Sequence, residues 1–370
     1  MTFRIAKHLL AATAIAAFGL TSTADACTGI TLHAMDGASV YGRTMEWGAF
    51  DLHSRVMLLP RGHAFSSDLG EGMTGRTWTG RYGLVALDGL ERPLALDGMN
   101  EAGLTLGAFY HPGFAEYAPI EPDRQAEALN PLDVGNFILS SFGSIAEVRE
   151  RVGELHVVAA VEPVLGFPAP LHFLLTDPTG EALVIEFRGG QAVTFEAPLG
   201  VLTNAPTYDW HMTNLRNFVN LSPVALPGVS IGEIDFTPLG AGSGMKGLPG
   251  DFTPPSRFVR AVAFSATARP TEDGPETIYE VFRILDNFNL PLGGAEGSDV
   301  VGEIDAMRSA TIWTTAMDTR NRVLYYHTQH NRRVRMLDLG KIDFETLAAP
   351  VFLPLDRERQ QDIEELTLPN

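Results

Sequence analysis

The chain has 370 residues, is 45% hydrophobic and carries a formal net charge of −18. That apolar content is enough for one large core, and the acidic balance disfavours nucleic acid and anionic membranes as partners. Its single cysteine, Cys27, cannot form an internal disulfide.

Residues 1–26 read as a cleavable secretory signal. Arg4 and Lys7 form a basic start, residues 9–20 an uncharged run too short to span a bilayer, and Ala24-Asp25-Ala26 a small-x-small cleavage site. Cleavage there makes Cys27 the first residue of a periplasmic or secreted protein, so that a thiol and an α-amine share one residue. A lipid-bearing Cys27 is the rival reading. Asp25 and the unbranched Ala24 argue against it, and no stable membrane anchor is expected.

The remainder shows no linker, repeat or further apolar stretch long enough to span. We read one domain over 27–350 and a short exposed tail over 351–370. Residues 27–33 predict a strand, Asp36-Gly37 a hairpin turn, and residues 40–45 the returning strand. A hairpin brings Arg43 and Glu46 back beside Cys27. Strands are expected at 82–87, 104–110, 171–176, 182–187 and 201–203. Two helical stretches fall within 131–155, the second opened by a capping box of Ser144 and Glu147. Helices are expected at 256–265 and 275–287, the latter with Ile278, Val281, Phe282 and Leu285 on one face. Strands at 311–317, 323–328 and 333–337 close the domain. Grouped strands and grouped helices indicate a layered α+β fold.

Gly242-Ser243-Gly244 lacks the spacing of a serine nucleophile elbow and reads as a turn. His327-Thr328-Gln329-His330 lacks the glutamate of a zinc helix and falls at a strand end. No phosphate-loop or dinucleotide fingerprint is present. Cys27 remains. An α-amine has a reference pKa near 7.7–8.0 and can accept the thiol proton near neutral pH. A guanidinium such as Arg43 favours thiolate over thiol.

Six segments then occur in order: Cys27-Thr28-Gly29; Gly42-Arg43-Thr44-Met45-Glu46-Trp47; Asp97-Gly98-Met99-Asn100-Glu101-Ala102-Gly103-Leu104; Leu202-Thr203-Asn204-Ala205-Pro206; Gly247-Leu248-Pro249-Gly250-Asp251; and Ser256-Arg257-Phe258-Val259-Arg260. On these motifs the chain resembles the choloylglycine hydrolase family, which includes conjugated bile acid hydrolases and penicillin V acylases. The resemblance runs from Cys27 to about Leu337. It implies a four-layer αββα sandwich of the N-terminal-nucleophile hydrolase type, cutting linear carbon–nitrogen amide bonds without metal or organic cofactor.

By the same resemblance Cys27 matches the nucleophile, Arg43 the arginine beside the thiol, and Arg257 a second site arginine. Asn204 matches the asparagine whose amide helps form the oxyanion hole, and the backbone N–H of Tyr110 is the other donor. Glu46 stands where the family usually has Asp in contact with the terminal amine. Trp47 and Tyr110 are expected to face substrate, and Trp78 is a further candidate for an apolar acyl pocket. The expected substrate is a small-molecule acyl amide, either penicillin V or a bile-acid conjugate. N-acyl homoserine lactones and other lipid-like amides stay open, as does an exported non-catalytic binding protein on the same fold. The resemblance also implies homotetramers, with the loop at 218–245 as a contact.

Overall fold

The computed structural model describes residues 27–48, 51–296 and 308–368. The signal expected over 1–26 lies outside these residues. In chain order the strands begin with β1 (Thr28–His33), β2 (Ser39–Trp47), β3 (Arg55–Leu59), β4 (Ala64–Asp68) and β5 (Thr74–Thr79). Then come β6 (Leu84–Gly89), β7 (Arg92–Asn100) and β8 (Thr105–Tyr110). Helices α1 (Val134–Ser141) and α2 (Ile145–Arg151) precede β9 (Leu171–Thr176), β10 (Ala182–Arg188) and β11 (Gln191–Glu196). Helix α3 (Tyr208–Asn214) is followed by the small hairpin β12 (Val229–Ile231) and β13 (Ile234–Phe236), then α4 (Pro254–Thr267) and α5 (Gly274–Leu285). The last strands are β14 (Ala295–Glu296), β15 (Arg308–Asp318), β16 (Val323–Thr328), β17 (Arg335–Asp338) and β18 (Val351–Pro354).

Two antiparallel sheets dominate. One runs β1-β2-β15-β16-β17, with β14 on β15, and the other β11-β10-β9-β8-β7-β6-β3-β18. Helices α4 and α5 pack on the first sheet and α1 on the second. The result is the αββα order of an α+β sandwich.

Strand alternation builds this stacking. In the second sheet Val85, Leu87, Phe109, Leu174 and Val184 join the cluster between the sheets. Their neighbours Leu84, Ala86, Phe173, Leu175 and Ile185 join the cluster under α1. A sheet covered on both faces needs such apolar residues at successive positions, each set pointing its own way.

Helix signals act as read. Ser144 caps α2 by accepting the Glu147 N–H at 3.2 Å. The Glu147 carboxylate reaches the Gly143 N–H at 3.0 Å, one residue before the cap. Helix α4 takes in both Pro254 and Pro255 at its first turn, where a missing N–H costs nothing.

Two expectations change, and strand β7 was not anticipated. Residues 201–203 form no strand: Leu202 makes only a two-bond bridge with Gly29, at 2.8 and 3.1 Å. Strand β7 was hidden by Pro93 and Gly98, two strand-weakening residues. Pro93 sits where the β6–β7 pairing shifts register, between Gly89↔Arg92 and Leu87↔Asp97. Finally, the exposed tail begins with β18, which pairs with β3 and closes the edge of the larger sheet. An open edge is a row of unmet backbone groups, and Val351-Phe352-Leu353 supplies a segment with strand propensity to cover it.

Candidate active site

The β1–β2 hairpin turns at Asp36-Gly37. Gly37 has φ of 86° and the Asp36 carboxylate accepts the Ala38 N–H at 2.8 Å. The register pairs Gly29 with Arg43 and Thr28 with Thr44. Extending it by one residue sets Cys27 opposite Met45. Gly29 faces the second sheet, where an added Cβ would lie 2.6 Å from the Phe109 ring. On β2, Tyr41 reaches Asp97 of β7 at 2.8 Å. By alternation Cys27, Arg43 and Met45 share this inter-sheet layer.

Arg43 is fully buried. Its guanidinium donates to the Ala108 carbonyl and, at 3.2 Å, to the Thr44 carbonyl. It lies over the Phe109 ring at 4.4 Å. Its Nη2 is 3.5 Å from Met45 Sδ, and Cys27 Sγ is 3.9 Å from the same sulfur. Burial opposes the charge on Arg43, but Cys27, Tyr41, Asp97 and Glu46 outweigh it and raise its pKa. The Cys27 sulfur is the largest of these partners.

Arg257 approaches from α4. Asp251 sets the start of that helix by accepting from the Thr253 N–H at 2.9 Å and the Ser256 hydroxyl at 2.7 Å. The Arg257 guanidinium donates to the Cys27 carbonyl, to Thr28 Oγ1 at 2.9 Å and to Asn204 Oδ1 at 2.8 Å. A guanidinium has only donors, so this contact fixes which way the Asn204 amide faces. Its Nδ2 then donates to the Tyr110 carbonyl at 2.8 Å.

Tyr110 closes β8. The His111 N–H donates to the Pro170 carbonyl at 2.7 Å. Ladder alternation makes Tyr110 and Leu171 a non-hydrogen-bonded pair. The N–H and carbonyl of Tyr110 therefore both point away from β9, to the side where Asn204 Nδ2 sits.

Glu46 is buried and accepts from Thr44 at 3.1 Å and from Thr311. Burial raises its pKa to about 7 against the pull of Thr311, Arg257 and Arg43. A pocket of about 630 Å³, including its open mouth, is lined by Cys27, Glu46, Trp47, Tyr110, Leu132 and Leu171 among others. Trp78 is elsewhere: it stacks on Phe65 at 4.8 Å and donates to Ser140 at 2.9 Å. A wider, more polar cleft lined by Asp51, His53, His330 and Asp356 does not include Cys27. Thus Cys27, Arg43, Glu46, Trp47, Tyr110, Asn204 and Arg257 meet in one place, whereas Trp78 is half-buried and packs against the cluster under α1.

The profile of the linear amide C–N hydrolases, choloylglycine hydrolase family, matches residues 27–352. The chain belongs to that family. A bile salt hydrolase/transferase of Clostridium perfringens is 30% identical, the match covering 85% of this chain and 93% of that one. A penicillin V acylase of Pectobacterium atrosepticum is 24% identical, over 82% of this chain and 78% of that one. A solved conjugated bile acid hydrolase from Clostridium perfringens superposes with a TM-score of 0.78 at 26% identity, covering 92% of this chain and all of that one.

This choloylglycine hydrolase family member is accordingly an amidohydrolase that cleaves acyl amides. Two residues of its site carried no role in the sequence reading, although both lie in quoted motifs. Met45 touches both the thiol and Arg43. Asp97, its pKa raised to about 6 chiefly by burial, holds Tyr41 and Thr315 behind Arg43. The available signal for Asp97 was its place at the head of a quoted motif, directly after the apolar run Leu94-Ala95-Leu96.

Proposed function

We propose that removal of residues 1–26 exposes Cys27 as an N-terminal nucleophile that hydrolyses amides with an apolar acyl group. The observation that carries this reading is the convergence on Cys27 of Arg43, Arg257 and the Asn204–Tyr110 donor pair, at the mouth of a mainly apolar pocket. The α-amine of Cys27 takes the thiol proton and the sulfur attacks the amide carbon. The carbonyl oxygen becomes an oxyanion facing Asn204 Nδ2 and the Tyr110 N–H. Loss of one such donor typically costs about 100- to 1000-fold in rate. The ammonium then protonates the leaving nitrogen as the C–N bond breaks. Water releases the acid from the thioester and regenerates the thiol.

Glu46 supports the amine. Extending the hairpin register places the N-terminal side of Cys27 toward Glu46. A buried carboxylate with two hydroxyl donors is a suitable counter-ion for an ammonium there. Cys27→Ala is expected to abolish turnover while leaving the far-UV spectrum and Tm unchanged; full activity in that variant overturns the mechanism. Free amine released from penicillin V, a bile-acid conjugate and an N-acyl homoserine lactone ranks the substrates, and release from none sinks this substrate class.

The reading carries export with it, to the periplasm or the medium. Among the described residues no helix is long and apolar enough to cross a membrane. N-terminal sequencing of exported protein should begin at Cys27. A chain starting at Ala26 would lock the amine into a peptide bond and remove the base. We also propose self-association, as a homotetramer, through the 218–245 loop, where Val229, Ile231, Ile234 and Phe236 of the β12–β13 hairpin are exposed. Changing Ile231 and Ile234 to Ser should shift the protein to monomer in analytical ultracentrifugation; an unchanged sedimentation profile removes the hairpin from the assembly.

A further inference from the structure

The segment that presents Asn204 is held from behind by histidines that the reaction does not use. His172, on β9, and His211, on α3, are both fully buried. His172 Nε2 is 2.8 Å from the Thr203 carbonyl and His211 Nε2 is 3.0 Å from the Asn204 carbonyl. A carbonyl oxygen can only accept, so in both rings Nε2 carries the proton and donates. His211 is kept in place by stacking on Phe258, 4.6 Å away at 12°. Phe258 is the neighbour of Arg257, which holds the other end of Asn204.

His172 is backed in turn. Its Nδ1 lies 3.5 Å from Glu186 Oε1, and the His111 ring stacks on it at 4.0 Å. Burial pushes the Glu186 carboxyl up, but His172, Arg188 and the Tyr208 N–H outweigh it and hold its pKa below the ordinary value.

We propose that His211 and His172 are positioning residues that lock the backbone of residues 203–204, so that Asn204 Nδ2 stays at the oxyanion. This rests on the assignment of Asn204 as an oxyanion donor. It explains why polar rings fill a buried region behind the site. Each donates to a backbone carbonyl of the segment that carries Asn204, in a loop with no strand ladder beyond the Leu202 bridge. His111, His172 and Glu186 together have the donor types of a metal site. The geometry opposes it. The two imidazole planes are stacked within 7° of parallel, so no single ion lies in both ring planes. Glu186 Oε1 and Oε2 are already engaged by the Tyr208 N–H at 2.7 Å and by Arg188.

The test compares His211→Phe, which keeps a stacking ring but loses the donor, with His211→Gln, which keeps an amide donor. The Phe variant should lose roughly 10- to 100-fold in kcat, a fraction of what loss of the donor itself costs, with KM nearly unchanged. The Gln variant should recover part of that loss. His172→Leu against His172→Gln asks the same of the second ring and decides the matter if His211→Phe does not fold. A double-mutant cycle gives the sharper readout: in an Asn204→Ala background, His211→Phe should cost little more, because its effect passes through Asn204. Additive losses, an equal change in KM, or no change in kcat overturn the proposal. If Asn204→Ala alone keeps full kcat, the oxyanion assignment fails, and that outcome is distinct from a failure of the histidines.

Discussion

Glu46 is the residue whose ionisation the fold perturbs most usefully. Its pKa of about 7 exceeds its ordinary value of 4.5, chiefly through burial. The unfolded chain therefore gives up this proton first as pH rises. Stability contributed by the protonated carboxyl is complete below about 4.5 and declines as pH climbs through about 7, by up to about 3 kcal/mol. Glu46→Gln has no such proton to lose. Denaturation at a series of pH values should show the variant gaining on the parent between about pH 4.5 and 7. Asp97 titrates in both proteins, so it cancels in the difference. An ammonium on Cys27 favours the Glu46 carboxylate, and the gain should be smaller in protein beginning at Cys27 than in protein carrying one residue ahead of it. A pH-independent difference between variant and parent would contradict the burial argument.

Among the elements, the β1–β2 hairpin has little room to vary. At Gly29 a Cβ would sit 2.6 Å from the tip of Phe109, whose ring is also the platform under Arg43. Gly29→Ala must push that ring aside, and overpacking of this kind typically costs about 1–3 kcal/mol. The expected result is a lower Tm together with a fall in kcat; an unchanged Tm would show that the layer can yield. This hairpin was legible in advance because Asp36-Gly37 and the flanking apolar alternation are local signals. The same locality made α5 and the capping box of α2 readable. Asn204 was legible only through its motif, since the loop that carries it has no periodicity. His172 and His211 were not legible at all. A histidine's role is set by which carbonyl it meets, and Thr203, 31 positions from His172 in sequence, reaches it only once the chain has folded back. Strand β18 failed for a related reason: nothing local announces that β3 leaves an edge to be covered.

In the whole molecule, the two sheets flank the proposed reaction site from opposite sides. Arg43 belongs to the first sheet, Cys27 directly precedes that sheet's strand β1, and Tyr110 belongs to the second sheet, while Asn204 lies on a loop bridged to β1 by Leu202. The site is therefore assembled across a seam held mainly by side-chain packing; the main-chain ladders lie within each sheet. Chemistry of this type tolerates little error, and a misplacement of about 1 Å can cost on the order of 100-fold in rate. The spacing of the two sheets is consequently a calibrated gap, and activity is its gauge. Mild urea or hydrostatic pressure that lets the layers slip should extinguish turnover while both sheets keep their ladders. Activity is expected to fail at a lower urea concentration than far-UV ellipticity. Coincident midpoints would mean that the seam and the sheets yield as one.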